Sequence, residues 1–228
     1  EYKLFKQNPI YTNEEVIYLE NEYLKVLEEF GENANSADIL LSLCHIQAFY
    51  LNKTQISIEG LQRILVMGNL KKDIIDLSKL ELADVFLYVD NIWEAALLYA
   101  QVEKDNETNP IGHEAKLRKA KLAYYAGDFL WAQAQLDVLK ASTSKLISND
   151  AFELALLINE NTALDTSSTA MQMYARADFL VYQDKTEEAL VILDSLMNTF
   201  KNHSLTDDVI YKKGAIMMKN HDYIKAAE

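Results

Sequence analysis

Apolar side chains recur at helical spacing along most of this 228-residue chain. Near the N-terminus, Thr12 and Glu15 have the spacing of a capping box, and an apolar stripe follows them. Gly31 stands where that helix should end. The stripe consists of Val16, Leu19, Tyr23, Leu27 and Phe30. This pattern predicts an N-terminal helix over residues 13–30.

A second pattern repeats down the chain. A small residue is followed twelve positions later by another, and apolar residues follow four and seven positions after that, as in Ala132, Leu136 and Leu139. Two antiparallel helices approach closely only where each presents a small side chain, so each pair predicts a helical hairpin. The pairs are Ala48 and Gly60, Ala83 and Ala95, Ala120 and Ala132, Ala177 and Ala189, and Gly214 and Ala226.

The segment YYAGDF marks the turn of one such hairpin. Gly127 suits the left-handed backbone that ends a helix, and Asp128 is a favourable N-cap for the next one. Phe129 is expected to pack beneath the turn. The repeated pattern predicts hairpins near residues 37–68, 76–103, 113–141, 168–200 and 207–228.

One interval between repeats is longer than the others. The first small residues stand at positions 48, 83, 120, 177 and 214, so three intervals are 35 or 37 residues and one is 57. The extra length of this interval predicts an additional helix near residues 149–161, capped by Asn149 or Asp150. Its apolar face is predicted to contain Phe152, Leu156 and Leu157. An unpaired helix is expected to bend the array or to divide it into two blocks around residues 142–168.

These features resemble the tetratricopeptide repeat, whose consensus reads W-x2-L-G-x2-Y, then A-x3-F, then P. The residues that carry the resemblance are Leu82-Ala83-x2-Phe86, Ala95-x3-Tyr99 and Pro110 in one copy, with AYYAGDF and Ala132 in the next. The resemblance covers roughly residues 37 to 228. It implies an all-α fold in which residues 1–228 form one solenoid fragment, a right-handed superhelix of helical hairpins. The irregular intervals are similar to those of bacterial repeats, which implies a location in the bacterial periplasm or cell envelope.

Composition agrees with a helical, globular chain of acidic character. Half of the residues are hydrophobic, and there are only 6 Gly and 2 Pro. Lys and Arg number 22 against 35 Asp and Glu, so the net charge is −13. Such a surface repels phosphate backbones and anionic lipid, and we expect neither nucleic-acid binding nor insertion into a membrane. The chain begins Glu-Tyr-Lys and ends KAAE within an apparent helix, so we expect it to be part of a longer protein.

Candidate catalytic residues are few. Cys44 and His45 are adjacent, and neighbouring side chains on a helix diverge by about 100°, which favours a core thiol beside a surface imidazole. The STSK motif at 142–145 lacks the S-D-N and K-T-G partners of S-x-x-K enzymes and reads as a polar loop. The remaining histidines lack metal-site spacing: His113, His203 and His221. The sequence therefore predicts no enzymatic activity, no metal and no cofactor.

The basic cluster KLRKAK at 116–121 has two interpretations. It is either a solvated helix face whose stems cover apolar surface, or a site for an acidic peptide or carboxylate. Cochaperone members of the resembled family clamp a terminal carboxylate with Lys and Asn at the fifth and ninth positions of a first helix. Here those positions hold Leu80 and Asp84, then Leu117 and Lys121, then Tyr174 and Asp178. The resemblance therefore does not extend to that clamp.

A row of tyrosines shares one register in the repeats. Tyr88, Tyr125 and Tyr182 each follow the small residue of a first helix by five positions. In tetratricopeptide repeat proteins, which the chain resembles, this edge of the first helix faces a concave groove. Tyrosine is also enriched at interface hot spots. The alternative is that the rings only pack between neighbouring first helices. The predicted partner-binding residues are Tyr88, Lys121, Tyr124, Tyr125, Tyr174, Tyr182 and Tyr211.

These observations favour a non-catalytic scaffold that binds a partner protein or peptide in the concave groove. The alternative function is a ligand-responsive regulator, or the helical domain of a larger enzyme whose catalytic part lies outside these residues. A catalytic or DNA-binding domain elsewhere in the reading frame favours the second function.

Overall fold

The fold is built from α-helices, and the described residues form no β-strand. The computed structural model describes residues 11–140, 145–162, 168–220 and 222–227. In chain order the helices are α1 (Asn13–Phe30), α2 (Ala37–Phe49), α3 (Thr54–Leu65), α4 (Lys72–Tyr88), α5 (Ile92–Asp105), α6 (Pro110–Tyr125), α7 (Phe129–Leu139), α8 (Lys145–Thr162), α9 (Thr169–Tyr182), α10 (Thr186–Thr199), α11 (Thr206–Lys219) and α12 (Tyr223–Ala227). The all-α prediction is confirmed.

The chain divides into two compact units, residues up to Glu107 and residues from Thr108 onward. The sequence predicted a bend or a division around residues 142–168. The division instead falls in the acidic loop before Pro110. In unit 1, α1 packs on α2, α2 pairs with α3, and α4 pairs with α5. In unit 2, α6 pairs with α7, α9 with α10, and α11 with α12. The right-handed winding of one continuous array stays a prediction.

Small residues lie at the helix crossings, as predicted. The alanines of three pairs have no exposed surface: Ala83 and Ala95, Ala120 and Ala132, and Ala177 and Ala189. The first hairpin is tighter, because a Cβ atom on Gly60 would lie 2.5 Å from the Sγ atom of Cys44. In the last hairpin, a Cβ atom on Gly214 would lie 3.9 Å from the carbonyl oxygen of Ala226. The spacing of small residues therefore reflects close approach between paired helices.

The turns of three hairpins share one backbone conformation. Gly127 has a φ of +80°, and the Asp128 carboxylate accepts a hydrogen bond of 3.2 Å from the N–H of Trp131, so both predictions for this turn are confirmed. Asp90 and Asp184 have φ values of +68° and +61° at the equivalent place. In each turn the following amide donates to a carbonyl five residues back, which satisfies the end of the first helix. These bonds run from Asn91 to Phe86, from Asp128 to Ala123 and from Lys185 to Leu180.

Helix α1 begins and ends as its sequence predicts. The Oγ1 atom of Thr12 accepts from the N–H of Glu15 at 3.2 Å, and the N–H of Thr12 donates to Oε2 of Glu15 at 2.7 Å. Gly31 follows the helix with a φ of +73°. The stripe is buried at Val16, Leu19 and Leu27, whereas Phe30 in the last turn is exposed.

The extra helix α8 is longer than predicted and faces its neighbours differently. It begins at Lys145, so Asn149 and Asp150 lie inside it and do not cap it. Phe152 and Leu156 are 52% and 41% exposed, and the apolar face predicted for them is wrong. The buried positions are Ile147, Ala151, Ala155, Ile158 and Asn161. Two alanines on this stripe let α8 pack closely along α7, which turns the larger side chains outward.

Candidate binding groove

Unit 2 contains an open groove of about 510 Å³ whose walls come from α6, α8, α9 and α11. Five of the residues predicted to bind a partner line it: Lys121, Tyr124, Tyr125, Tyr174 and Tyr211. The rest of its lining is mostly acidic and aliphatic: Asp150, Glu153, Leu154, Leu157, Asp178, Asp208 and Lys212. Helix α8 forms one wall because it packs on α7 and also contacts α6 and α9.

The floor of the groove is held by Asp178 on α9. Its Oδ2 atom accepts a hydrogen bond of 3.1 Å from the hydroxyl of Tyr124, and its Oδ1 atom accepts one of 2.5 Å from Nζ of Lys212. Tyr124 is only 1% exposed, and burial together with the nearby Asp178 carboxylate raises its pKa well above the ordinary value. The phenol therefore stays a neutral donor, and Asp178 connects α6, α9 and α11.

An aromatic stack supports the α6 wall. The ring centroid of Tyr125 lies 5.2 Å from that of Phe179 and 6.0 Å from that of Tyr182. The guanidinium of Arg176 lies 5.6 Å from the Phe179 centroid and covers the same cluster. Tyr182 belongs to this stack but does not line the groove, whereas Tyr125 belongs to both.

The α9 and α11 side of the groove combines a buried and an exposed tyrosine. Tyr174 is 4% exposed, burial raises its pKa, and Nζ of Lys212 lies 5.7 Å from its ring centroid. Tyr211 is 77% exposed, so nearly the whole ring is accessible to a partner. The two rings therefore have different roles, one shaping the groove and the other standing at its rim.

Negative charge exceeds positive charge in the lining, where four carboxylates face two lysines. Both lysines already have acidic neighbours, Lys212 at Asp178 and Lys121 at 3.5 Å from Oδ2 of Asp150. Within the described part of the chain, Glu153 and Asp208 form no ion pair with a lysine or arginine. Burial raises the pKa of the Asp208 carboxyl, and this effect exceeds the opposing influence of Asn161 and Lys212.

Tyr88 belongs to unit 1. Its ring meets that of Phe49 edge-on, with centroids 5.3 Å apart and planes at 82°, and so joins α4 to α2. The half-buried ring therefore has a packing contact within its own unit.

Comparison with known proteins gives a likeness to a solved structure. No family model and no curated protein sequence matches the chain. The chain is similar to a tetratricopeptide repeat protein from Parabacteroides merdae. The likeness to that solved structure has a TM-score of 0.49 and 15% sequence identity, and it covers 93% of this chain and 83% of the other.

Basic side chains of the cluster at 116–121 contact other residues of the chain. The Nε atom of Arg118 donates to Oε1 of Glu114 at 2.9 Å, and Nζ of Lys119 lies 5.3 Å from the ring centroid of Trp131. Lys121 is near Asp150, as described above. These contacts favour the interpretation of the cluster as a solvated helix face whose side chains cover apolar surface.

Among the described residues, the candidate pair Cys44 and His45 does not form a reactive site. Cys44 is fully buried, and Nδ1 of His45 lies 2.6 Å from Oε1 of Glu81, so the two side chains point to different neighbours. Among the described residues, no group of three His, Cys, Asp or Glu side chains has the arrangement of a metal site. His221 and residues 142–144 of the STSK motif lie outside the described residues. No helix in the described ranges has both the length and the apolar character of a membrane span.

The acidic side of the groove was missed by the sequence reasoning. Asp208, Tyr211 and Lys212 lie within about one helical turn, so their common face could have been recognised from spacing. The contribution of Asp150 and Glu153 could not, because the predicted α8 face was rotated away from its true orientation. Only the packing of α8 against α7 brings these carboxylates to the tyrosines.

Proposed function

We propose that this chain is a non-catalytic scaffold for protein–protein interaction and that the groove of unit 2 holds a segment of a partner protein. The observation that carries this proposal is that five of the seven residues predicted to bind a partner, Lys121 and four tyrosines, line one open groove. Tyrosine combines a large apolar contact area with a polar end, which suits a surface that binds and releases a partner. A groove between stacked helices also matches the size of an extended or helical peptide segment.

The tyrosines divide into two roles in this proposal. Tyr124 and Tyr174 are nearly buried, and they shape and stiffen the floor through Asp178 and Lys212. Tyr211 at the rim and the half-buried Tyr125 are the rings that a partner would contact. Partner binding is therefore expected to depend most on Tyr211 and Tyr125, whereas changes at Tyr124 and Tyr174 also reduce stability.

Site-specific photo-crosslinking tests the proposal. A benzoylphenylalanine replaces Tyr211 in the chain expressed in its source cells, and the matched control carries it in place of Tyr18, a 56% exposed tyrosine of α1. We expect ultraviolet light to give a discrete adduct with a partner protein from position 211 and none of the same mass from position 18. Equal adducts from both positions, or none from position 211, would contradict a binding role for the groove.

Alanine substitution adds a quantitative measure. With the crosslinked partner in hand, Tyr211→Ala is expected to weaken binding at least tenfold, roughly the effect of losing an interface hot spot. Tyr18→Ala should leave the affinity unchanged. Because Tyr211 is largely exposed, its variant should keep the melting temperature of the native chain, so that lost binding reports the groove and not the fold.

A further inference from the structure

The charges of the unit 2 groove restrict the chemistry of what it can hold. The lysines that line it are each close to an acid: Lys212 donates to Asp178 at 2.5 Å, and Lys121 lies 3.5 Å from Asp150. An acidic ligand would have to displace these carboxylates before it could reach either ammonium group. It would also meet the carboxylates of Glu153 and Asp208, and a concave wall concentrates such like-charge repulsion.

A basic ligand meets the opposite situation. Glu153 is exposed and Asp208 is half-buried, and neither has a lysine or arginine ion-pair partner within the described residues. Burial raises the pKa of Asp208, and the like charges of Glu160 and Asp207 act in the same direction, while Asn161 and Lys212 offset them only in part. Because four carboxylates and only two lysines line the groove, a cation brought into it would relieve the remaining excess of negative charge.

The aromatic lining suits the same ligand. An ammonium or guanidinium group is attracted to the face of a tyrosine ring, and the accessible ring of Tyr211 stands three residues after Asp208 on the same helix. The groove already contains one contact of this kind, between Nζ of Lys212 and the ring of Tyr174. Leu154 and Leu157 on the α8 wall provide apolar surface for the neighbouring residues of a bound segment.

We infer that the groove takes a basic segment of the partner protein, in which a lysine or arginine side chain reaches Glu153 and Asp208 while adjacent apolar side chains contact Tyr125, Leu154 and Leu157. This inference rests on the proposed function, since it names the chemistry of the partner for the same groove. The charge of the whole chain, −13, further favours the approach of a basic partner over an acidic one.

A displayed library of random peptides of about twelve residues tests the inference, because it offers basic, neutral and acidic segments in one selection. The complete 228-residue chain is the bait. Selected peptides are then measured against three variants: Glu153→Gln with Asp208→Asn, Tyr211→Ala, and a control with Glu187→Gln and Glu188→Gln. The control removes the same two charges from exposed positions on α10, outside the groove.

The expected result is a set of peptides rich in Lys or Arg with apolar neighbours. Their Kd should rise about tenfold in the Glu153→Gln and Asp208→Asn variant at about 0.15 M NaCl, and less than about twofold in the control. The exposed Glu153 has no internal hydrogen bond to lose among the described residues, so Glu153→Gln alone keeps the test valid if Asp208→Asn lowers stability.

Two other results have different meanings. Peptides that need Tyr211 but are neutral or acidic, and are insensitive to the groove acids, would overturn the basic segment and leave the proposed function standing. A selection in which no peptide depends on Tyr211 or on the two acids would overturn both.

Discussion

At the scale of single residues, the hairpin turns show that one backbone conformation is met by different side chains. Gly127 adopts the left-handed region without steric cost, whereas Asp90 and Asp184 adopt it with a Cβ atom present. Aspartate tolerates this region better than most residues, since its short polar side chain bonds locally. The turn therefore depends on the six-residue hydrogen-bonded geometry and not on glycine itself.

Replacing the exposed Asp90 with glycine should stabilise unit 1 by about 0.5 kcal/mol, because the relief of left-handed strain slightly exceeds the added entropy of the unfolded chain. Gly127→Ala should destabilise unit 2 by about 1 kcal/mol, because alanine is strained in the left-handed region that Gly127 adopts. Urea unfolding followed by far-UV circular dichroism measures both. Gly68→Ala is the control, since a Cβ atom there meets nothing within 4 Å, and it should be close to neutral. A loss of stability in Asp90→Gly would mean that the aspartate side chain stabilises the turn.

Burial of the Cys44 thiol has a measurable chemical consequence. Burial raises its pKa from 9.0 to about 12, so the folded chain keeps the thiol protonated where an unfolded cysteine ionises. The associated stability is fully present below pH 9.0 and is lost as the pH rises towards about 12.

We therefore expect Cys44 in the folded chain to react with Ellman's reagent at pH 8 at least about a hundredfold more slowly than in concentrated urea. The urea midpoint of unit 1 should also fall above pH 9, and should fall less in Cys44→Ala. Rapid labelling of the folded chain at pH 8 would show that the thiol is accessible.

At the scale of elements, α2 and α3 illustrate why the first hairpin carries glycine where the others carry alanine. Cys44 occupies the space beside Gly60 that a methyl group would need. The hydroxyl of Ser57 also crosses this interface and donates to the carbonyl oxygen of Cys44 at 2.8 Å. Cys44, Ser57 and Gly60 therefore pack against one another at this crossing, and the effects of substituting Cys44 and Gly60 on stability should be coupled.

A double-mutant cycle measures this coupling. Gly60→Ala should destabilise unit 1 by roughly 1–3 kcal/mol, because the new Cβ atom would lie 2.5 Å from Sγ of Cys44. Cys44→Ala alone should cost about 1 kcal/mol through the space it leaves. The double variant should be more stable than the sum of the two losses predicts, since the new methyl group then has room. Additive losses would place the steric conflict elsewhere.

Helix α1 is attached to its unit by an ion pair whose acidic member is buried. Glu20 is 4% exposed, and its Oε2 atom accepts from Nζ of Lys53 at 2.6 Å while Oε1 accepts from Nε2 of Gln47 at 3.0 Å. A buried carboxylate depends on such partners, because transfer from water without them is costly.

Lys53→Met should destabilise unit 1 by about 2 kcal/mol, less than for a fully enclosed pair, because the Lys53 side chain is 40% exposed. Lys25→Met is the control: it breaks the exposed pair with Glu22, and little change is expected. Thermal unfolding at neutral pH compares the two variants. A similar effect of both changes would show that burial of Glu20 does not set the strength of its pair.

At the scale of the whole molecule, the dominant property is acidity. The net charge of −13 corresponds to a sequence pI of about 4.8. Charges of one sign repel one another in the compact state, and added salt screens that repulsion over about 10 Å at 0.1 M.

The melting temperature should therefore rise as NaCl is increased from about 0.01 M to about 0.2 M, in proportion to the screening of self-repulsion. Scanning calorimetry or circular dichroism measures it, with sucrose at equal osmolality as the uncharged control. A melting temperature that falls with salt would show that favourable ion pairs, such as Lys53 with Glu20, outweigh the net repulsion.

The sequence by itself determined the helices, their turns and the residues at their crossings. Hydrophobic periodicity, capping patterns and small-residue spacing act over a few neighbouring residues, so they can be read without knowledge of the tertiary structure. This is why the capping box of Thr12 and the turn at Gly127 agree with the structure. The register of Tyr125 followed from the same repeat, whereas Tyr174 and Tyr211 were predicted from the resemblance to a known repeat family.

Only the tertiary structure decided which face of α8 is buried and which charges meet the tyrosines. Large side chains such as Phe152 normally bury more area than alanine, so periodicity alone selected the wrong face. Close approach to α7 instead favoured Ala151 and Ala155, and this rotation carried Glu153 into the groove. Interactions between helices distant in sequence depend on how closely backbones approach, and that distance is a property of the folded chain that no local pattern contains.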